Sequence, residues 1–323
     1  MSPDHQTSDV PTSLETPAAG AGQSGDARSL VTGTVVLAIA ASLLGFAPIL
    51  VKLSDLGPQP IAFWRLALAL PAFAVWLALA NLRPVRAAAG RPNYVALGLA
   101  GLFFAGDLAF WHAGIKLTTA ANAALLSNLT PVIVAIAAWV LFGERISLRL
   151  ALAGLVAMAG AVLLAAANIR IAPERLVGDL LSAITALWYA SYLLSVQRAR
   201  RTTSTVLVMI VSTALAAIIS LAVTLVLGDT LFPATLAGWL PLIGLGIVVH
   251  AGGQGGVAFG LGRVPAALAA LILLIQPIVA AIAGWLIFGE ILVFSQWIGA
   301  GLVLAGVYSA QRIRTAKIRR GSP

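Results

Sequence analysis

The 323-residue sequence has no cysteine, which excludes disulfides and thiolate metal sites and leaves the redox compartment unread. Charge is also scarce. Only 10% of residues are Asp, Glu, Lys or Arg, against about 25% in ordinary soluble domains, while 60% are apolar. A large soluble core does not explain this, because the outside of any soluble protein needs polar cover. Lipid as solvent removes that need. Nothing in the sequence has the spacing of a nucleotide-binding phosphate loop, so ATP-driven chemistry is not expected. No span carries two carboxylates, so the Mg²⁺ cluster of a membrane-embedded phosphotransfer enzyme is not expected either.

What is present is a series of apolar runs long enough to cross a bilayer, which takes about 20 residues. They fall near 31–51, 60–80, 94–114, 119–141, 148–167, 177–197, 205–227, 239–260, 265–287 and 292–311. The linkers are short and leave no room for a soluble domain. Residues 1–29 are rich in Pro, Ser, Thr, Gly and Ala with scattered acids, the composition of a disordered tail. Residues 312–323 form a basic tail. With the N-terminus placed in the cytoplasm, fifteen Lys and Arg residues fall on inside segments and four outside, with Arg65 inside a span. The positive-inside rule therefore puts both termini in the cytoplasm.

The sequence repeats itself at an offset of 146. Residues 131–144 read PVIVAIAAWVLFGE and residues 277–290 read PIVAAIAGWLIFGE, with eight of 14 positions identical. Ala124–Leu125 aligns with Ala270–Leu271, and Gly160 with Gly306. Five spans per copy is an odd number, so the second copy enters the membrane upside down, which puts Glu144 inside and Glu290 outside. The expected fold is an all-α integral membrane protein of ten transmembrane helices in two inverted five-helix repeats, residues 30–168 and 177–311. Inverted repeats are a recurrent architecture of secondary transporters, since two related packings supply inward-open and outward-open states.

Two five-helix units, each with a Pro–apolar–FGE helix followed by a small-residue helix, resemble the EamA family of the drug/metabolite transporter superfamily. PQPIAFWRLALA in span two and GDLAFWHAGIKLTTAANAALLSNLTPV in spans three and four are similar to the family's first repeat. The resemblance covers about residues 31–311. It implies a ten-helix exporter or exchanger of small metabolites, amino acids foremost, with a central cavity and no cofactor. A channel and a membrane-embedded lipid-modifying enzyme are the competing classes. The expected partners are a small-molecule substrate and the bilayer, not nucleic acid. The Ala-, Gly- and Arg-rich composition points to a bacterial cytoplasmic membrane.

Arg65 and Asp107 are the permanent charges well inside spans, each costing roughly 2.5–3.5 kcal/mol at a helix centre. They sit at similar depth and form a candidate gate, substrate site or ion pair, with snorkelling of Arg65 as the alternative. Their repeat equivalents are Val211 and Gly253, so one half alone carries the charge. His112 and His250 titrate in the working range when unperturbed, and His250 shares a helical face with Gln254. Asn122, Ser127, Asn128, Thr130 and Gln276 need polar partners in lipid, with Asn128 and Gln276 favoured for a cavity. Trp188 and Tyr192, four apart, offer an aromatic cavity wall, alongside Tyr189 in the same span. The equivalent Pro131 and Pro277 are candidate hinges. Gly252, Gly253, Gly255, Gly256 and Gly260 suit close helix packing.

Overall fold

The computed structural model describes residues 19–81, 91–118, 123, 126–143, 147–166, 173–289 and 291–319, and among them no strand occurs. Asn122, Glu144 and Glu290 lie outside the described residues. The helices in chain order are α1 (Ala19–Leu44), α2 (Ala47–Leu53), α3 (Pro58–Ala67), α4 (Ala69–Asn81), α5 (Tyr94–Leu117), α6 (Thr130–Phe142) and α7 (Leu148–Ala166). They continue with α8 (Leu176–Arg200), α9 (Thr205–Leu227), α10 (Trp239–Ile243), a π-helix (Gly244–Gln254), α11 (Gly255–Leu261), α12 (Ala266–Ile272), α13 (Ile275–Phe288) and α14 (Phe294–Arg319).

Joined across their short breaks, these elements give eight described stretches long and apolar enough to span a bilayer: Arg28–Leu53, Pro58–Ala80, Tyr94–Leu117, Leu148–Ala166, Pro173–Arg200, Thr205–Leu227, Trp239–Leu261 and Ala266–Phe288. Of the remaining two expected spans, the fourth is represented by the shorter Thr130–Leu141, and its first half falls mostly outside the described residues. The tenth corresponds to α14, whose basic C-terminal turns dilute its apolar character. Lipid-facing side chains stay exposed, among them Val226, Ile136 and Leu155, as expected where the solvent is hydrocarbon.

The first tail is expected to be disordered and the second only to be basic, and both carry helix. Helix α1 begins at Ala19 and α14 runs on to Arg319, so parts of the tails expected at 1–29 and 312–323 are helical. The physical reason is propagation: once a span has nucleated a helix, each added residue gains a hydrogen bond that roughly offsets its own lost freedom, and the nucleation cost is not incurred again.

Prolines set the breaks. Turns at Gly45–Phe46, Leu68, Asn128–Leu129 and Leu273–Leu274 each come two to four residues before Pro48, Pro71, Pro131 and Pro277. A proline lacks the N–H for an i−4 bond, and its ring crowds the carbonyl one turn back. The symmetry-related turns before Pro131 and Pro277 are both present, as their equivalence predicts.

The packing follows the same repeat. Helix α7 lies along α14, its counterpart at offset 146. A Cβ on Gly160 would stand 2.5 Å from the Gly299 carbonyl oxygen and 2.6 Å from Val303 N. At the equivalent Gly306 it would stand 2.6 Å from Ala153 O and 2.6 Å from Ala157 N, which is the same contact with the partners exchanged. Gln296 Nε2 donates to Leu164 O at 3.0 Å, so residue numbers rise along α7 as they fall along α14. Equivalent helices therefore pack antiparallel at backbone distance, which only glycine permits there. Likewise α5 packs along α8, while their counterparts, the π-helix with α11 and α1, pack together in the other half. Helices α6 and α13 both end on glycines in the left-handed conformation, Gly143 (φ 65°) and Gly289 (φ 68°).

Candidate functional site

Between the halves lies a cavity of about 150 Å³, lined by the turn at Gly45, α3, α5, the turns before Pro131 and Pro277, α8 and Gln254 at the end of the π-helix. Its elements are fixed by contacts outside it. Trp64, next to Arg65, donates its indole N–H to the Leu231 carbonyl at 2.7 Å and packs its ring on Trp239 (centroids 4.6 Å apart). That anchor fixes the rotation of α3 and turns Arg65 inward, where it is 4% exposed. Snorkelling to the surface is therefore not its arrangement. His112 Nδ1 donates to the Pro58 carbonyl at 2.9 Å, linking α5 to the first turn of α3. His112 is thus a structural tie, buried outside the cavity.

Arg65 and Asp107 both face the cavity. The two charges are near enough to act on each other, yet among the described residues no direct salt bridge joins them, and Arg65 Nε has no hydrogen-bond partner. The Arg65 guanidinium carbon sits 5.8 Å from the centroid of the Phe104 ring, one turn before Asp107. Opposite them are neutral polar groups. Gln254 Nε2 reaches the Tyr189 hydroxyl at 3.5 Å, and Gln276 of another span lines the same cavity. Gln254 Oε1 is buried without a partner. Asn128 completes the lining with Thr130 and Thr185, whose hydroxyls are occupied by the carbonyls of Ser127 and Leu181 at 2.7 and 3.0 Å.

The structure thus gathers Arg65, Asp107, Asn128, Gln254, Gln276, Pro131 and Pro277 around one space. It leaves out three residues expected there. Trp188 covers Gly106, where a Cβ would stand 2.5 Å from its ring, and packs between Phe103 and Phe110. Tyr192 is fully buried between Phe104 (4.6 Å) and Tyr189 (5.8 Å), in the layer behind the wall. His250 is enclosed by Phe73 and Phe104, with Nε2 hydrogen-bonded to Thr213 Oγ1 at 2.9 Å. The i+4 aromatic face of α8 belongs to the protein core because α5 packs along it.

Trp111 and Tyr189 line the cavity, and aromatic spacing missed both. The signal for Tyr189 is polar: Ser182, Thr185 and Tyr189 recur at i, i+3 and i+7 and mark the inward stripe of α8. Of the glycine-rich stretch in span eight, Gly253, Gly256 and Gly260 abut α1 at Leu44, Ala40 and Leu37, which is helix packing as expected. A second, apolar crevice of about 410 Å³ lies between α6, α7 and α12, and shares Pro131 with the polar cavity.

The cavity thus brings one basic and one acidic side chain together with several amides. The EamA-like transporter family matches twice, over residues 31–166 and 176–310. A protein of Archaeoglobus fulgidus described as an uncharacterized transporter is 32% identical over 223 residues, covering 69% of this chain and 78% of the relative. A solved structure titled only as the crystal structure of a protein superposes with a TM-score of 0.73 at 22% identity. It covers 88% of this chain and 98% of its own, and shows a shared fold. With both halves of its membrane region matched, the chain belongs to the EamA-like transporter family.

Proposed function

We propose that the protein carries a small zwitterionic metabolite, an amino acid, out of a bacterial cell across the cytoplasmic membrane by alternating access. The observation that carries this reading is the placement of Arg65 and Asp107 on one cavity without a salt bridge between them. A buried cation and anion left apart are each incompletely compensated. A molecule with a carboxylate at one end and an ammonium at the other compensates both, with Gln254, Gln276 and Asn128 available for its remaining polar atoms.

Alternating access draws support from the architecture. Antiparallel packing of the equivalent helices α7 and α14, with reciprocal contacts at Gly160 and Gly306, supports an inverted repeat with a pseudo-two-fold axis through that seam. Two halves so related have two related packings around a central site. The paired turns before Pro131 and Pro277, both on the cavity, are the natural places for the backbone to bend.

Proteoliposomes of the purified protein, offered labelled amino acids, test the reading. Saturable uptake is expected, and Arg65→Gln and Asp107→Asn are each expected to raise KM by about 10- to 100-fold. That is the equivalent of one charge-assisted hydrogen bond of about 1.5–3 kcal/mol. Wild-type-like uptake by both variants, or uptake linear in concentration, would sink it.

A further inference from the structure

At one end of the bundle two arginines stand together. Arg200 closes α8, and Arg263 follows α11 in the turn before Pro265. Arg200 Nε donates to the Ala258 carbonyl at 3.2 Å and its Nη1 to the Thr203 carbonyl, and Nη2 lies 2.7 Å from where a Cβ of Gly262 would stand. Arg263 Nη1 donates to the Phe259 carbonyl at 3.2 Å, with its guanidinium 3.5 Å above the Phe259 ring. The two cations are close enough to repel. A guanidinium has five N–H donors, so most of the ten remain uncommitted to protein carbonyls.

Among the described residues neither arginine meets a carboxylate. Asp107 lies in the central cavity. Glu174 and Asp179 sit at the start of the stretch Pro173–Arg200 that Arg200 ends. Asp55 accepts from Ala234 N at 3.1 Å, and Asp229 lies beside Gly57; both therefore border the start of the stretch Trp239–Leu261 that Arg263 follows. Glu174, Asp179, Asp55 and Asp229 all belong to the opposite end. Around the arginines, buried polar atoms are also unmatched: the hydroxyls of Thr202 and Thr203, in the turn that Arg200 braces, and Gln197 Oε1, one turn back on α8.

We propose that Arg200 and Arg263, with the Thr202–Thr203 turn, form a binding site for a phosphate-type anion at the membrane surface, filled by the headgroup of an anionic phospholipid. Planar guanidinium forks match phosphate oxygens, and basic pockets between membrane helices take anionic headgroups. The anion removes the repulsion between the two cations, and the threonine hydroxyls find acceptors. The site is independent of the central cavity and of what the protein carries.

The experiment is thermal unfolding of the delipidated full-length protein in neutral detergent, titrated with phosphatidylglycerol, phosphatidylcholine or inorganic phosphate. Phosphatidylglycerol is expected to raise Tm saturably and phosphatidylcholine to leave it nearly unchanged. Arg263→Gln is expected to weaken the titration midpoint by at least about tenfold. Arg263→Lys, which keeps the charge and loses the fork, falls between. Arg312→Gln, at the same end but outside the pair, keeps the wild-type midpoint. A response to inorganic phosphate that competes with the lipid and vanishes in Arg263→Gln supports the anion site and names a free source. An unchanged midpoint in both Arg263 variants, or an equal loss in Arg312→Gln, overturns the proposal.

Discussion

Tyr189 does more in the cavity than its position beside Trp188 suggests, because its hydroxyl meets Gln254 of another span. Tyr189→Phe keeps the ring stacked on Tyr192 and removes only that link. The expected result is a KM raised several-fold with little change in Tm, since a single buried hydrogen bond is worth about 1 kcal/mol; transport kinetics beside an unfolding curve checks it. At this scale the sequence was legible where a residue type is costly in lipid. Arg65, Asp107, Asn128, Gln254 and Gln276 stand out for that reason, and the cavity holds all five. It was not legible where the type is indifferent. Trp188, Tyr192 and His250 are equally at home in a wall or a core, and the neighbour packed against each decided the matter: Gly106 under Trp188, Phe104 over Tyr192 and His250.

Among the elements, the α7–α14 seam is held by backbone contact rather than by large side chains. Gly160→Ala sets a methyl group against the Gly299 carbonyl oxygen, an atom that does not rotate away. It is expected to lower stability by about 1–3 kcal/mol, read as a fall in Tm. Gly301, on the same helix as Gly299, has open space where its Cβ would be, and Gly301→Ala is expected to leave Tm unchanged or raise it slightly. Equal losses in the two variants would refute the seam. Apolar runs and prolines placed the spans and their breaks in advance, because run length and a missing N–H act locally. The π-helical form of Gly244–Gln254 had no such local mark: its counterpart in the first repeat lies within the regular α5. Helix width there depends on the neighbours, Leu68 against Gly246 and Leu44 against Gly253.

For the whole molecule, orientation is the property most open to a direct check. The absence of cysteine makes single substitutions clean labels. Ser2→Cys and Ser322→Cys are both expected to resist a membrane-impermeant thiol reagent in intact cells and to react once the membrane is opened. Labelling of either one in intact cells would reverse the assignment of both termini to the cytoplasm. The duplication was readable because Pro, Trp, Phe, Gly and Glu coincide at one offset; the charges were readable as belonging to one copy only. The π-helix is a second departure from symmetry, and it has a mechanical meaning. A π-helical stretch is wound more loosely than an α-helix. Tightening those eleven residues into α form would turn everything beyond them about the span's own axis. Gln254 is the last of them, so such a turn would swing its amide off the Tyr189 hydroxyl and open one wall of the cavity.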